Sequence, residues 1–340
     1  METLNLEILN PGPILADLKI QLQEPAVSLH SYLRRPTASG SPVFSVWNFG
    51  INPFGIRESA LPEVLQLLGI RSLTLNAAQD LSPLYNLSGG IPHTGNDADK
   101  WRYLTSDAVT EVMQPFLRNC RAIAFQDWAS LSGASGLWSC LLRDTIKPVG
   151  TQGLEFIFYL GDALTRRSFQ VEEAIDIIAG FSAYGQVTVA LDEDESIKLW
   201  MVLNGVHNYD SVVNQTFPDL KKKFASIFRS INIERLLVYS ASQAMLFTRH
   251  TQFLLARKKV AQQFEMAPEA RDHFIEGFCM GLAQQMDMVR CVALGLIVFG
   301  SRSEAGAGLA RFDAARQQLF DYIDQWTNDL QQPEIMYLYQ

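Results

Sequence analysis

From residue 43 onward the chain alternates short, nearly continuous apolar runs with longer amphipathic stretches. Val43–Phe49 (VFSVWNF), Ser72–Leu75, Ala122–Phe125, Leu154–Tyr159 (LEFIFY), Val187–Leu191 (VTVAL) and Arg235–Tyr239 have strand length. Their apolar residues fall on both faces, as in strands covered on two sides. Between them a helical period places Ala60, Val64, Leu65 and Leu68 on one face. It also predicts helices over Ser106–Asn119, Gly136–Arg143, Val171–Tyr184, Glu193–Leu203 and, basic in character, Phe217–Ser230. Arg235–Tyr239 with Ala244–Thr248 reads as one hairpin, and Leu84–Ile91 as another with Gly89–Gly90 at its turn. Residues 92–100 read as a polar loop, and the last third as helices over about 269–284, 287–299 and 311–330. Strands alternating with helices predict an α/β fold with a mostly parallel sheet and helices on both faces. Residues 1–42 contain Pro11, Pro13, Pro25, Pro36 and Pro42. They predict an extended arm with one or two short strands, leaving 43–340 as a single domain without internal repeats.

Composition narrows the function classes. The 340 residues are 48% hydrophobic and 19% charged, which fits a folded core and not a disordered chain. With 28 Lys and Arg against 36 Asp and Glu the net charge is −8, the wrong sign for bulk binding to nucleic acid. The longest apolar run, Cys291–Gly300, is far short of the roughly 18–20 residues of a membrane span, so no membrane partner is expected. The start lacks a basic region followed by an apolar one, and Cys120, Cys140, Cys279 and Cys291 show no paired spacing. Free core thiols in a reducing, cytoplasmic setting are the reading that follows.

Several chemistries are absent as motifs. There is no Gly-Lys dipeptide for a Walker A loop, no G-x-G-x-x-G after a strand and no G-x-S-x-G. The five histidines have no metal-ligand spacing. Three longer stretches remain. Gly161-Asp162 with Thr165-Arg166-Arg167-Ser168 precedes a helix and then a strand closing in Leu191-Asp192-Glu193-Asp194-Glu195-Ser196. Ala124–Leu141 reads AFQDWASLSGASGLWSCL. Ala270-Arg271-Asp272-His273-Phe274-Ile275-Glu276-Gly277-Phe278 is followed by Gly281-Leu282. In the third, Phe274, Phe278 and Leu282 recur at one-turn spacing, so one helix face is buried, and Gly277 and Gly281 permit close packing. Asp272 lies in the first turn, where unpaired N–H groups and the positive end of the helix dipole stabilise a carboxylate and attract phosphate.

In order and spacing these stretches resemble the ribokinase-like (PfkB) carbohydrate kinases over roughly residues 43–305. The third is similar to that family's G-A-G-D-x-F-x-x-G-F-x-x-G-L. The resemblance implies a three-layer α/β/α sandwich with a reduced lid, and transfer of a phosphoryl group from ATP to a hydroxyl of a sugar-like small molecule. It implies Asp272 as the base, Ala270 and Arg271 as the phosphate-binding residues, and Asp192 with Glu195 as the Mg²⁺ shell. It also implies a possible homodimer. The chain departs from the pattern at Glu269-Ala270-Arg271, where the family has Gly-Ala-Gly, and at the turn Ser240-Ala241-Ser242-Gln243, where it usually has a glycine. Residues 1–42 also lack the family's sugar-binding opening. A catalytically silent binding or assembly protein on the same fold is therefore the alternative. Two local readings stay open as well. Asp192 and Glu195 are either metal-organising or a helix cap, and Arg166–Arg167 either line a phosphate site or start a solvated helix.

Overall fold

The computed structural model describes residues 6–23, 45–50, 71–76, 120–125, 128–129, 134–150, 153–213, 216–257, 268–283, 285–305 and 312–330. Among them are nine strands in one sheet: β1 (Glu7–Ile8), β2 (Ser45–Gly50), β3 (Arg71–Asn76), β4 (Cys120–Phe125), β5 (Leu154–Phe158), β6 (Gly185–Asp192), β7 (Arg235–Tyr239), β8 (Gln243–Thr248) and β9 (Gln252–Ala256). Their order is β1-β9-β8-β7-β6-β5-β4-β2-β3. Every pairing is parallel except the two made by β8. The principal helices are α1 (Pro11–Gln23), α2 (Ala134–Cys140), α3 (Ser168–Gly180), α4 (Glu193–Asn204), α5 (Phe217–Ser230), α6 (Pro268–Ala283), α7 (Met288–Ala305) and α8 (Phe312–Leu330). A π-helical turn, Leu141–Ile146, continues α2.

The apolar runs are continuous because both sheet faces are buried. Side chains alternate across a strand, so Phe156, Phe158, Val187, Val189, Leu191, Leu236 and Val238 meet helices α2 to α5 on one face. Ile157, Ala190, Leu237 and Tyr239 meet α6, α7, α8 and α1 on the other. The crossovers from β4 to β7 thus put their helices on one side, and the two chain ends cover the other. The result is a three-layer α/β/α sandwich, as the pattern predicted.

Two local readings are corrected. Within the segment expected to be extended, Pro11–Gln23 is a helix whose Leu15, Leu18 and Leu22 are buried against α7 and α8. Asp17 pairs with Arg290 at 2.6 Å, and Lys19 pairs with Asp324. The following strand, β9, was not expected; it lies between β8 and β1 and gives the N-terminal strand its partner. The expected helices near residues 60–68 and 106–119 and the hairpin at 84–91 lie outside the described residues. Cys291–Gly300 is a buried stretch of α7, and no helix among the described residues is long and apolar enough to cross a membrane.

Candidate functional site

In a parallel sheet the loops that leave the carboxyl ends of the strands cluster along one edge. Strand β6 reaches this edge at Asp192, whose register partner on β7 is Tyr239. The Tyr239 ring stacks on Phe274 of α6, centroids 4.2 Å apart and 7° from parallel. Phe274 follows Asp272 by two residues, so the stack turns the start of α6 toward the carboxyl end of β7, while the body of the helix packs on β4 and β2. Sequence positions 239 and 274, 35 residues apart, are thereby neighbours in the fold. Asp272, Arg271 and Ala270 all fall in the first turn of α6, which begins at Pro268.

Close packing holds that helix in place. A Cβ at Gly277 would stand 2.3 Å from the carbonyl oxygen of Leu294 on α7, and one at Gly281 would stand 2.8 Å from the Cα of Cys291. Phe274, Phe278 and Leu282 are buried on the sheet side, as the one-turn spacing predicted. A tightly seated helix is a rigid support for its first turn.

Asp192 and Glu195 form a reciprocal cap. The Asp192 carboxylate accepts the N–H of Glu195 at 2.7 Å, and Glu195 accepts the N–H of Asp192 at 3.1 Å. They are 3% and 4% exposed, so the helix-cap reading is correct locally. It does not remove these groups from chemistry, since a carboxylate has roughly four lone-pair sites. Both are hard oxygen donors of the kind Mg²⁺ takes. Among the described residues no group of three or more His, Cys, Asp or Glu is arranged to hold a metal ion.

Further charged groups line the same edge. Lys198 of α4 bridges Asp162, at the end of the β5 loop, and Asp194, at 2.7 and 2.9 Å. Burial alone would lower its pKa, but the hydrogen bonds to both carboxylates outweigh this and hold the ammonium above its usual range. Tyr209 donates to Asp194; burial, then this bond, push its phenol up to about 12. Glu193 accepts from Gln243 Nε2 at 2.7 Å, and burial pushes its carboxyl up. Sequence reasoning singled out the acidic run but not its partners, since Asp162, Tyr209 and Gln243 come from separate loops.

Of the basic pair, Arg167 is the exposed N-cap of α3, as the reading of a solvated helix start has it, and Arg166 turns inward. Its guanidinium donates to the carbonyls of Ala129 at 2.8 Å and Trp128 at 3.4 Å, and lies 5.6 Å from the centre of the Trp128 ring. It therefore ties the loop after β4 to the loop after β5. Trp128 and Trp138 are core residues, 3% and 0% exposed.

No protein-family model and no curated protein matches this chain. Solved structures do. The pyridoxal kinase of Staphylococcus aureus in complex with AMP-PCP is 13% identical, with 80% of this chain and 92% of that chain covered and a TM-score of 0.54. The same kinase in complex with pyridoxal is 14% identical, with coverage of 80% and 92% and a TM-score of 0.53. The pyridoxal kinase of Entamoeba histolytica is 12% identical, with coverage of 82% and 95% and a TM-score of 0.53. At these identities the likeness is one of fold, and the fold is the ribokinase-like sandwich.

Proposed function

We propose, from the ribokinase-like fold this chain shares with those kinases, that it is a small-molecule phosphotransferase. One observation supports the reading: Phe274, two residues after Asp272 on α6, stacks on Tyr239, the register partner of Asp192 at the carboxyl end of β6. A helix N-terminus offers unpaired N–H groups and a positive dipole end to a phosphoryl group. In the proposed roles Asp272 takes the proton of the acceptor hydroxyl as its oxygen bonds to the γ-phosphorus of ATP. The bond from that phosphorus to the bridging oxygen breaks, and ADP departs. The N–H groups around Ala270 and Arg271 hold the transferring group, and the Arg271 guanidinium replaces a glycine of the family pattern. Asp192 and Glu195 would contribute oxygen donors to Mg²⁺, which would supply positive charge against the phosphates. Catalysis of this kind is positioning plus charge stabilisation.

The acceptor class proposed is a sugar-like alcohol, and pyridoxal belongs in the same assay panel because a neighbour in fold is solved with it. A reducing, cytoplasmic setting suits the free thiols of Cys140, Cys279 and Cys291. The homodimer implied by the resemblance is checked by sedimentation. The test of function is binding followed by turnover. Millimolar Mg-ADP or Mg-ATP is expected to raise the melting temperature, since a ligand of the native state stabilises it. Asp272→Asn is expected to keep that rise and abolish phosphoryl transfer. No rise with either nucleotide would overturn the kinase reading and leave a binding or assembly role; turnover by Asp272→Asn would overturn the role of Asp272.

A further inference from the structure

The mechanism above leaves Glu193 unused, although it sits between the two candidate metal residues. It occupies the first position of α4, directly after the Asp192 cap. Its carboxylate is not turned to solvent. It accepts from Gln243 Nε2 at 2.7 Å. Ser240 and Gln243 are the two ends of the turn joining β7 to β8, which closes through the Ser240 N–H to the Gln243 carbonyl at 2.8 Å. From the other side the Arg257 N–H donates to the Ser242 carbonyl at 2.7 Å. The Arg257 guanidinium lies over the Tyr322 ring, 4.3 Å from its centre, and pairs with Asp329 at 3.6 Å. The turn is thus held to α4 on one flank and to α8 on the other.

Its position gives this clamp a consequence. The turn begins immediately after Tyr239, the residue stacked on Phe274 beneath the first turn of α6. It therefore leaves β7 at the end that meets α6 through this stack, and the register partner of Tyr239 is Asp192 at the end of β6. The turn contains no glycine, so its shape is set by these hydrogen bonds.

We propose that Glu193 is a positioning residue for the phosphate-bearing ligand: by gripping Gln243 it fixes the β7–β8 turn as one wall of the site at the first turn of α6. This rests on the phosphotransferase reading. Calorimetric titration of Mg-ADP tests it without depending on turnover. Glu193→Ala is expected to weaken Mg-ADP by about tenfold, the scale of one lost charge-assisted hydrogen bond, and to lower hydrogen-exchange protection in residues 240–243. Glu193→Gln, which can still accept from Gln243, is expected to bind nearly as the parent does. Gln243→Glu sets two carboxylates face to face and is expected to weaken binding; adding Glu193→Gln is expected to restore it. A purely structural Glu193 would give variants of altered stability whose folded fraction binds Mg-ADP normally. Parent-like affinity in Glu193→Ala, or no recovery in the exchanged pair, overturns the clamp while nucleotide binding by the parent stands. Absence of Mg-ADP binding by the parent overturns both readings. If Glu193→Ala does not fold, the exchanged pair decides.

Discussion

The helix bearing Asp272 is seated on glycines, and replacing one of them tests how tightly. A Cβ at Gly277 would lie 2.3 Å from the Leu294 carbonyl oxygen, 2.7 Å from its carbon and 2.8 Å from the Cα of Gly295. Comfortable contacts between heavy atoms lie near ~3.5 Å, so α6 and α7 must separate by about 1 Å. The obstructing atoms are backbone in a buried helix, so no rotamer change relieves them. Helix propensity works the other way, favouring Ala over Gly by about 1 kcal/mol. Overpacking in a closed core costs about 1–3 kcal/mol and sometimes more. We therefore expect Gly277→Ala to destabilise by about 1–3 kcal/mol, read as a lower urea midpoint at unchanged slope. Gly136→Ala is the matched control: it is the same chemical change within α2, and its Cβ would meet nothing within 4 Å. It should be neutral or stabilising by up to about 1 kcal/mol. The displaced helix also carries the candidate base, and misplacement by ~1 Å can cost roughly 10²-fold in rate. Gly277→Ala as stable as the parent would refute the packing argument; a loss in both variants would assign the effect to glycine in general.

Two other perturbations probe buried charge. Arg235 pairs with Glu155 at 2.6 Å, with side-chain exposures of 10% and 15%, and also reaches Thr188 and Gln186. Glu155→Ala strands a guanidinium beneath α7 and should cost about 3–5 kcal/mol, whereas Glu155→Leu with Arg235→Met should be nearly neutral by urea unfolding. Tyr209 has a folded pKa of about 12, above its ordinary value of 10.0. A raised pKa contributes stability that is complete below the unfolded value, so stability should fall as pH climbs from 10 to 12. The fall should be about 1 kcal/mol after solvent screening, and absent in Tyr209→Phe.

What the sequence revealed, and what it hid, follows from the range of the forces involved. Strands β4 to β8 were legible because burial on both faces makes them apolar throughout, and the cap was legible because Asp192 and Glu195 are three residues apart. Helix α1 was obscured by Pro11 and Pro13, which read as breakers. They occupy its first turn, where N–H groups have no intrahelical partner and proline removes nothing. Strand β9 is a short run, QFLLA, paired with β8 across the turn at Thr248–Thr251 and with β1 from some 245 residues earlier in the chain. Arg166 was read by its charge, yet its partners are carbonyls 37 and 38 residues away. A backbone acceptor leaves no mark in the sequence, so no local pattern identifies such a bond.

The same limit governs the electrostatics of the site. A net charge of −8 weighs mildly against phosphate binding, but a total says nothing of which charges are already committed. At the carboxyl edge Asp162, Asp192, Glu193, Asp194 and Glu195 face Lys198 and Arg166. Lys198 is held between two of those acids and Arg166 by two carbonyls. Moving either cation to a phosphate would strip partners from half-buried groups, at a cost comparable to the gain. The phosphotransferase reading therefore leans on the positive end of α6, worth about half a unit charge, on Arg271, and on a divalent ion arriving with the nucleotide. Such an ion also turns the acidic run from an obstacle into a ligand set. This is why the departures at Glu269 and Arg271 weigh more than the overall charge: they alter the helix end on which this reading rests.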